Sequence, residues 1–241
     1  MPELFQTALA QTGYALLSPS QTQALCGVAL ATLDELTPSW SRLPPDTYLR
    51  DGGKYRYRRH SCFEFDAEPH SLATTAPRAH WQSTDYNALH GGIARWFEPI
   101  APAVTASNAW QALLRSLALA FCELQQVARW YIEAHQFRID TAHGIGRPTP
   151  EGAHRDGVDY VAVILIGRHN VKGGETRVFE ARGSTGVRFT MHEPWSMLLL
   201  DDARVIHETT PLQSEDGSAV GWRDTLVLTF RANGFQAPSR V

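Results

Sequence analysis

The second half of this chain sets the tightest limit on its fold. From Ile132 onward, short strand-like segments alternate with turns at intervals of roughly eight to twelve residues, a spacing that builds a β-sandwich or small barrel. His135-Gln136-Phe137-Arg138-Ile139 alternates polar and apolar residues, and Tyr160 to Ile166 is apolar on both faces. Thr176 to Phe179, Ser196 to Leu200, Arg204 to His207 and Arg223 to Arg231 continue the series. Gly173-Gly174 and Arg182 to Gly186 supply turns. The first half reads differently. Ser18-Pro19-Ser20 starts a helix whose Leu25, Val28, Ala29, Leu33 and Leu36 share one face until Pro38. Ser107 or Asn108 caps a second helix, with Trp110, Leu113, Leu114, Leu117, Phe121 and Leu124 at helical spacing through about Trp130. The expected architecture is mainly β with flanking α: N-terminal helices, then a jelly-roll sheet. Residues 1–131 are expected to form a helical region packed on a core of residues 132–241, as one structural unit.

Composition narrows the class. Of 241 residues 43% are hydrophobic and 10% aromatic, which excludes intrinsic disorder. The 22 basic and 25 acidic residues leave a net charge of −3, without the basic excess of a nucleic-acid binder. Cys26, Cys62 and Cys122 form no CxxC pair and suit a reducing compartment. No apolar run is long enough for a bilayer, and the start does not resemble a signal peptide. A cytoplasmic protein without nucleic-acid or membrane partners is expected.

Ten histidines invite a stricter test than their presence. A carboxylate two residues after a histidine lies on the same strand face, where both can reach one ion. Only His154-Arg155-Asp156 meets this requirement, and His207, ending Arg204 to His207, can supply a second imidazole from a neighbouring strand. Two histidines and a carboxylate leave three adjacent positions open on an octahedral ferrous ion. The bland alternative is a surface His-Asp pair and an unrelated core histidine. On the last strand, Leu226, Leu228 and Phe230 make one face apolar, while Arg223, Thr225, Val227 and Thr229 make the other largely polar. That polar stripe faces either solvent or a barrel lumen. In a lumen, Arg223 and Thr225 would together bind a carboxylate.

The segments PEGAHRDGVDYVAVILIGRHNVKGGET, LLLDDARVIHETTPL and WRDTLVLTF resemble the bacterial iron(II)/2-oxoglutarate dioxygenases that include L-isoleucine 4-hydroxylase, and BsmA-like proteins linked to biofilm and stress. The resemblance covers roughly residues 132–233. It implies a double-stranded β-helix (jelly roll, cupin-like) and dependence on Fe(II), 2-oxoglutarate and dioxygen. By position it makes His154, Asp156 and His207 the iron ligands, and Arg223, with Thr225, the holder of the distal carboxylate of 2-oxoglutarate. It favours hydroxylation of an aliphatic C–H in a free L-amino acid or similar small substrate. The competing reading is a non-catalytic jelly-roll binding or regulatory protein; a zinc hydrolase is a poorer third, since no HExxH is present.

Substrate contacts are less constrained. Gln136 and Arg138 lie opposite Phe137 and Ile139 and enter the lumen if the apolar side packs under the helices. Tyr160 and Trp195 are candidates for an apolar wall. Around Lys54 to Phe65, Tyr55, Tyr57, Phe63 and Phe65 share one face, and Lys54, Arg56, Arg58 and His60 the other. An edge strand with a charged outer face is the plainer reading of that pattern, and a substrate-anion contact through Arg58 the sharper one. Asp201-Asp202 reads as a turn.

Overall fold

The computed structural model describes residues 2–217 and 219–238. Side chains are described from Phe5 onward. Five helices and twelve strands follow one another: α1 (Pro2–Thr12), β1 (Tyr14–Leu17), α2 (Pro19–Cys26), α3 (Leu30–Asp34), β2 (Arg56–Asp66), β3 (Ser71–Thr74), α4 (Pro102–Thr105), α5 (Asn108–Leu124), β4 (Arg129–Asp140), β5 (Tyr160–His169), β6 (Val171–Gly173), β7 (Thr176–Glu180), β8 (Gly186–Phe189), β9 (Met197–Asp201), β10 (Val205–Thr209), β11 (Leu212–Ser214) and β12 (Trp222–Arg231). A seven-stranded antiparallel sheet runs β1-β9-β5-β12-β4-β2-β3. A three-stranded sheet β10-β7-β8 and the pair β11-β6 make up the smaller, second wall of the jelly roll.

Three strands of the main sheet come from the first half of the chain, so that half is woven into the sheet as well as packed on it. The long helix is α5. Ser107 caps it by accepting from the Trp110 N–H, and its apolar side buries Trp110, Leu113, Leu117 and Phe121 on the outer face of the main sheet. There they meet Phe63, Trp130 and Phe230. The helix ends at Leu124, short of Trp130, because β4 has begun at Arg129. The earlier helix is not continuous to Pro38 either. A capping box at Ser18 and Gln21 starts α2, and Gly27 ends it in the left-handed conformation (φ +67°), which glycine adopts without strain.

Both faces of the main sheet are covered, which is why β5 reads as apolar throughout. Ala162, Ile164 and Ile166 point into the α5 layer, while Val161 and Leu165 join Val178, Leu198 and Val205 between the two walls. Among the described residues no helix is long and apolar enough to cross a membrane. Leu117 is fully buried at the centre of the α5 interface. Leu117→Ala should cost about 2–5 kcal/mol of stability, read as a lower urea midpoint with an unchanged slope.

Candidate metal centre

His154 and His207 are joined by the backbone before their side chains are considered. Each donates its N–H to the other's carbonyl (3.0 and 2.9 Å), forming an isolated antiparallel bridge that sets the two rings 4.7 Å apart. His154 Nδ1–H donates to the Gly152 carbonyl at 2.9 Å, which leaves Nε2 with its lone pair. Asp156 Oδ2 lies 3.8 Å from His207 Nε2, and ligand atoms of His154, Asp156 and His207 all fall within 4.8 Å of one another. The structure therefore brings together the three residues that the HxD pattern and His207 pointed to.

The chemistry of this donor set suits a divalent ion. Burial pushes the Asp156 carboxyl up to about 6, and burial with the neighbouring His154 holds His207 well below the usual imidazole range. His207 Nδ1 is buried without a partner. Two imidazoles and a carboxylate, with no protein cation beside the carboxylate except His154 itself, are what a dication satisfies. The loop carrying Asp156 is fixed by Asp202, which is 1% exposed and accepts the backbone N–H groups of Asp156, Gly157 and Val158 at 2.8–3.1 Å. Asp202 is thus a clamp on the Asp156 loop and more than the turn residue that Asp201-Asp202 suggested.

The polar stripe of β12 faces the lumen. Arg223, Thr225, Val227 and Thr229 all line the cavity that holds the triad. Arg223 is 4% exposed, yet its Nε and Nη2 have no partner, and burial pushes it down to about 10, so it stays charged at neutral pH. A buried guanidinium with unpaired N–H groups calls for an anion. Gly174 (φ +71°) lets the β6–β7 turn close over it: a Cβ there would meet Leu212 at 2.7 Å and the Arg223 side chain at 3.5 Å.

Other expected contacts fall elsewhere. Gln136 and Arg138 lie on the outer face, because the residues of β4 that enter the lumen are His135, Phe137 and Ile139. Gln136 donates to Ser39 at 2.7 Å, and Arg138 forms a two-pronged pair with Asp224 (2.7 and 2.6 Å) while resting on Trp222. Tyr160 stacks on Phe121 at 4.5 Å in the α5 layer, and Trp195 is buried there with its indole N–H on Asp34. β2 is not an outer edge: β3 pairs with it over Phe63–Asp66, and Pro44, Asp46 and Glu98 take the backbone hydrogen bonds of Arg58, Arg56 and His60, while Arg56 and Arg58 point inward. Arg56 and Arg58 line the cavity, 6% and 3% exposed, and share Asp46 (2.8 and 3.7 Å). Arg58 also lies over the rings of Phe97 and Phe137 and donates to His135 Nδ1 at 2.7 Å.

Several lining residues carry no sequence signal, since they sit in an irregular segment without periodicity. Gln82 donates to Asp156 Oδ1 at 3.2 Å and accepts from Arg95 (3.0 Å) and Asn87 (3.2 Å). A second group of possible ligands, His60, His80, Glu133 and His135, lies beneath Arg58. Its nitrogens converge on one carboxylate oxygen, Glu133 Oε2, at 2.9 Å from His60, 2.7 Å from His80 and 3.8 Å from His135. Because Arg58 can only donate, His135 Nδ1 must accept, and its proton sits on Nε2, facing Glu133. This is a carboxylate collecting imidazole N–H groups, with no lone pairs left converging on an ion.

A sequence model of the family described as 2OG-Fe dioxygenase matches residues 37–229. The 3(1)-hydroxy-L-isoleucine 4-dioxygenase of Pantoea ananatis (strain AJ13355) is 26% identical over 157 residues, and the match spans 63% of each chain. The crystal structure of a bsmA homologue from Methylobium petroleophilum PM1 is 54% identical and superposes with a TM-score of 0.95 over 99% of this chain and 96% of that one. The crystal structure of IDO from Bacillus thuringiensis, 19% identical, shares the fold with a TM-score of 0.80 over 97% and 100%.

Two measurements test this geometry. Fe(II) titrated into the metal-free protein should saturate at about one equivalent per chain, and Asp202→Asn should weaken that binding by about ten- to a hundred-fold. Two tight equivalents would make the Glu133 group a second centre. Acid should also destabilise the fold. Burial pushes His80 down to about 4, so between roughly pH 6.5 and 4 the unfolded chain takes up a proton that folded His80 refuses. The imidazoles beside Glu133 hold its carboxyl below the usual range, so the stability it adds is present above about pH 4.3 and lost on further acidification. Thermal unfolding across pH 7.5 to 4.5 should show a falling midpoint.

Proposed function

The chain belongs to the 2OG-Fe dioxygenase family, and from that premise we propose that it hydroxylates an aliphatic C–H of a free L-amino acid. Enzymes of this family depend on Fe(II), 2-oxoglutarate and dioxygen, and that membership displaces the non-catalytic reading of the jelly roll. His154, Asp156 and His207 would hold the iron. Arg223, with the Thr225 hydroxyl beside it, would take the distal carboxylate of 2-oxoglutarate. With iron and both co-substrates in place, the centre supplies an oxidant strong enough for an unactivated C–H while 2-oxoglutarate leaves as succinate and carbon dioxide.

The observation that carries the amino-acid reading is a second buried anion site in the same cavity. Arg56, Arg58 and Arg95 each keep an unpaired N–H in the interior: Nη2, Nε and Nε respectively. Across the sheet, Arg223 of β12 is in register with Ile139 of β4, and Ile139 with Arg56 of β2. At a strand spacing of about 4.8 Å this sets the Cα atoms of Arg223 and Arg56 about 10 Å apart on the same face of the sheet. Phe137, Ile139, Val163 and Val227 supply apolar surface in that cavity. One end suits the co-substrate, the other the carboxylate of a small substrate whose aliphatic chain lies against this wall. The protein orients the reactants and excludes water; no side-chain acid or base is required of it. The relative from Pantoea ananatis, named for a hydroxylated isoleucine, supports the same substrate class.

The test is a screen of proteinogenic amino acids for substrate-dependent succinate release, with products checked by mass for one added oxygen. Stimulation by aliphatic members is expected; failure across the set, with the visible band of the anaerobic Fe(II) and 2-oxoglutarate complex intact, would sink the amino-acid substrate. Arg223→Lys keeps the charge but loses the forked donor, and should weaken 2-oxoglutarate binding roughly ten- to a hundred-fold. An unchanged requirement would move the anchor elsewhere.

A further inference from the structure

Glu151 is the buried charge in the cavity that neither the metal triad nor the arginines explain. Its side chain is 10% exposed, and it lies in the turn closed by Gly152 N–H to Thr149 O, just ahead of His154. Oε1 accepts from Asn87 Nδ2 at 3.4 Å and sits 3.8 Å from His154 Nε2. Oε2 is buried and accepts nothing. A carboxylate oxygen withdrawn from water without a donor is costly unless a ligand completes it. Glu151 stands outside the set of mutually close ligand atoms formed by His154, Asp156 and His207, and among the described residues no arginine or lysine forms a salt bridge with it, although Arg95 feels its charge.

We propose, resting on the amino-acid reading above, that Glu151 receives the α-ammonium of the substrate while the buried arginines hold its carboxylate. The two poles are tied together by side-chain amides. Asn87 Nδ2 bridges Glu151 Oε1 and Gln82 Oε1, and the same Gln82 oxygen accepts from Arg95 Nη2 at 3.0 Å. Gln82 also reaches Asp156 through its Nε2. The acceptor for a cation, the donors for an anion and a metal ligand thus share one hydrogen-bonded frame, which fixes where a zwitterion's α-carbon would sit relative to the metal. The ligand class this selects is a compact molecule with a free carboxylate and a free ammonium. A 2-hydroxy acid presents no cation to Glu151, and an N-acylated amino acid presents neither charge nor space for it.

The experiment is calorimetric titration of the intact protein, held anaerobically with Fe(II) and 2-oxoglutarate. The probes are L-valine, L-leucine and L-isoleucine, each against its 2-hydroxy acid counterpart. Wild type should prefer the amino acids. Glu151→Gln should weaken amino-acid binding about ten-fold or more and leave the hydroxy acids, Fe(II) and 2-oxoglutarate unaffected. Glu151→Asp, which keeps the charge, should recover part of the preference. Amino-acid binding unchanged in Glu151→Gln, or lost equally with that of the hydroxy acids, overturns this assignment alone. Loss of Fe(II) affinity in Glu151→Gln also overturns it and makes Glu151 a fourth metal ligand. Wild type that binds none of the amino acids, with both co-substrates held, overturns the amino-acid reading and this assignment with it.

Discussion

Arg56, Arg58, Arg95 and Arg223 are each between 2% and 6% exposed, lining one cavity inside the barrel. Burying a guanidinium costs several kcal/mol unless something answers its charge and its N–H groups. Much of the architecture around the lumen is that answer. Asp46, itself buried, is held ahead of β2 and serves two of the four. Glu133 collects imidazole protons and, through His135, presents a lone pair to Arg58. Arg223 keeps Nε and Nη2 buried without an acceptor among the described residues. The residues that balance the lumen come from both halves of the chain, Asp46 from the first and Glu133 and His135 from the second.

The parts of the site legible in the sequence are those fixed by strand periodicity. His154 and Asp156, two residues apart, share a face wherever the chain is extended, and the unlike faces of β12 announce themselves by alternation. Periodicity does not say which face is inside. For β4 that was decided by a partner on the neighbouring strand: Asp224, directly opposite Arg138, pairs with it on the outer side, so Phe137 and Ile139 turn inward against expectation. β2 kept its two predicted faces, but both are buried: Phe63 and Phe65 pack under α5, and the lumen takes Arg56 and Arg58. Gln82, Asn87, Arg95 and Glu151 were illegible for another reason. They lie in loops and short bridges, positioned by hydrogen bonds among side chains, and a single sequence carries no pattern for those. The interruption of the helix expected from Ser18 to Pro38 belongs with them, since it rests on Gly27 taking the left-handed conformation.

The frame around Gln82 also has a consequence for how such an enzyme can diversify. His207 and Arg223 belong to strands and His154 to the bridge with His207, whereas Arg95 and the amides of Gln82 and Asn87 that frame the other pole of the cavity come from the irregular stretch between β3 and α4. Loops of that kind accept changes in length and composition that a sheet does not. New specificities can therefore be tried there while the reactive centre is left alone. Gln82 is where this independence ends, because one amide serves both Asp156 and Arg95. A drifting loop would have to preserve that residue or rebuild the support of the ligand carboxylate by another route, so Gln82 marks the border between what is free to vary and what the chemistry holds fast.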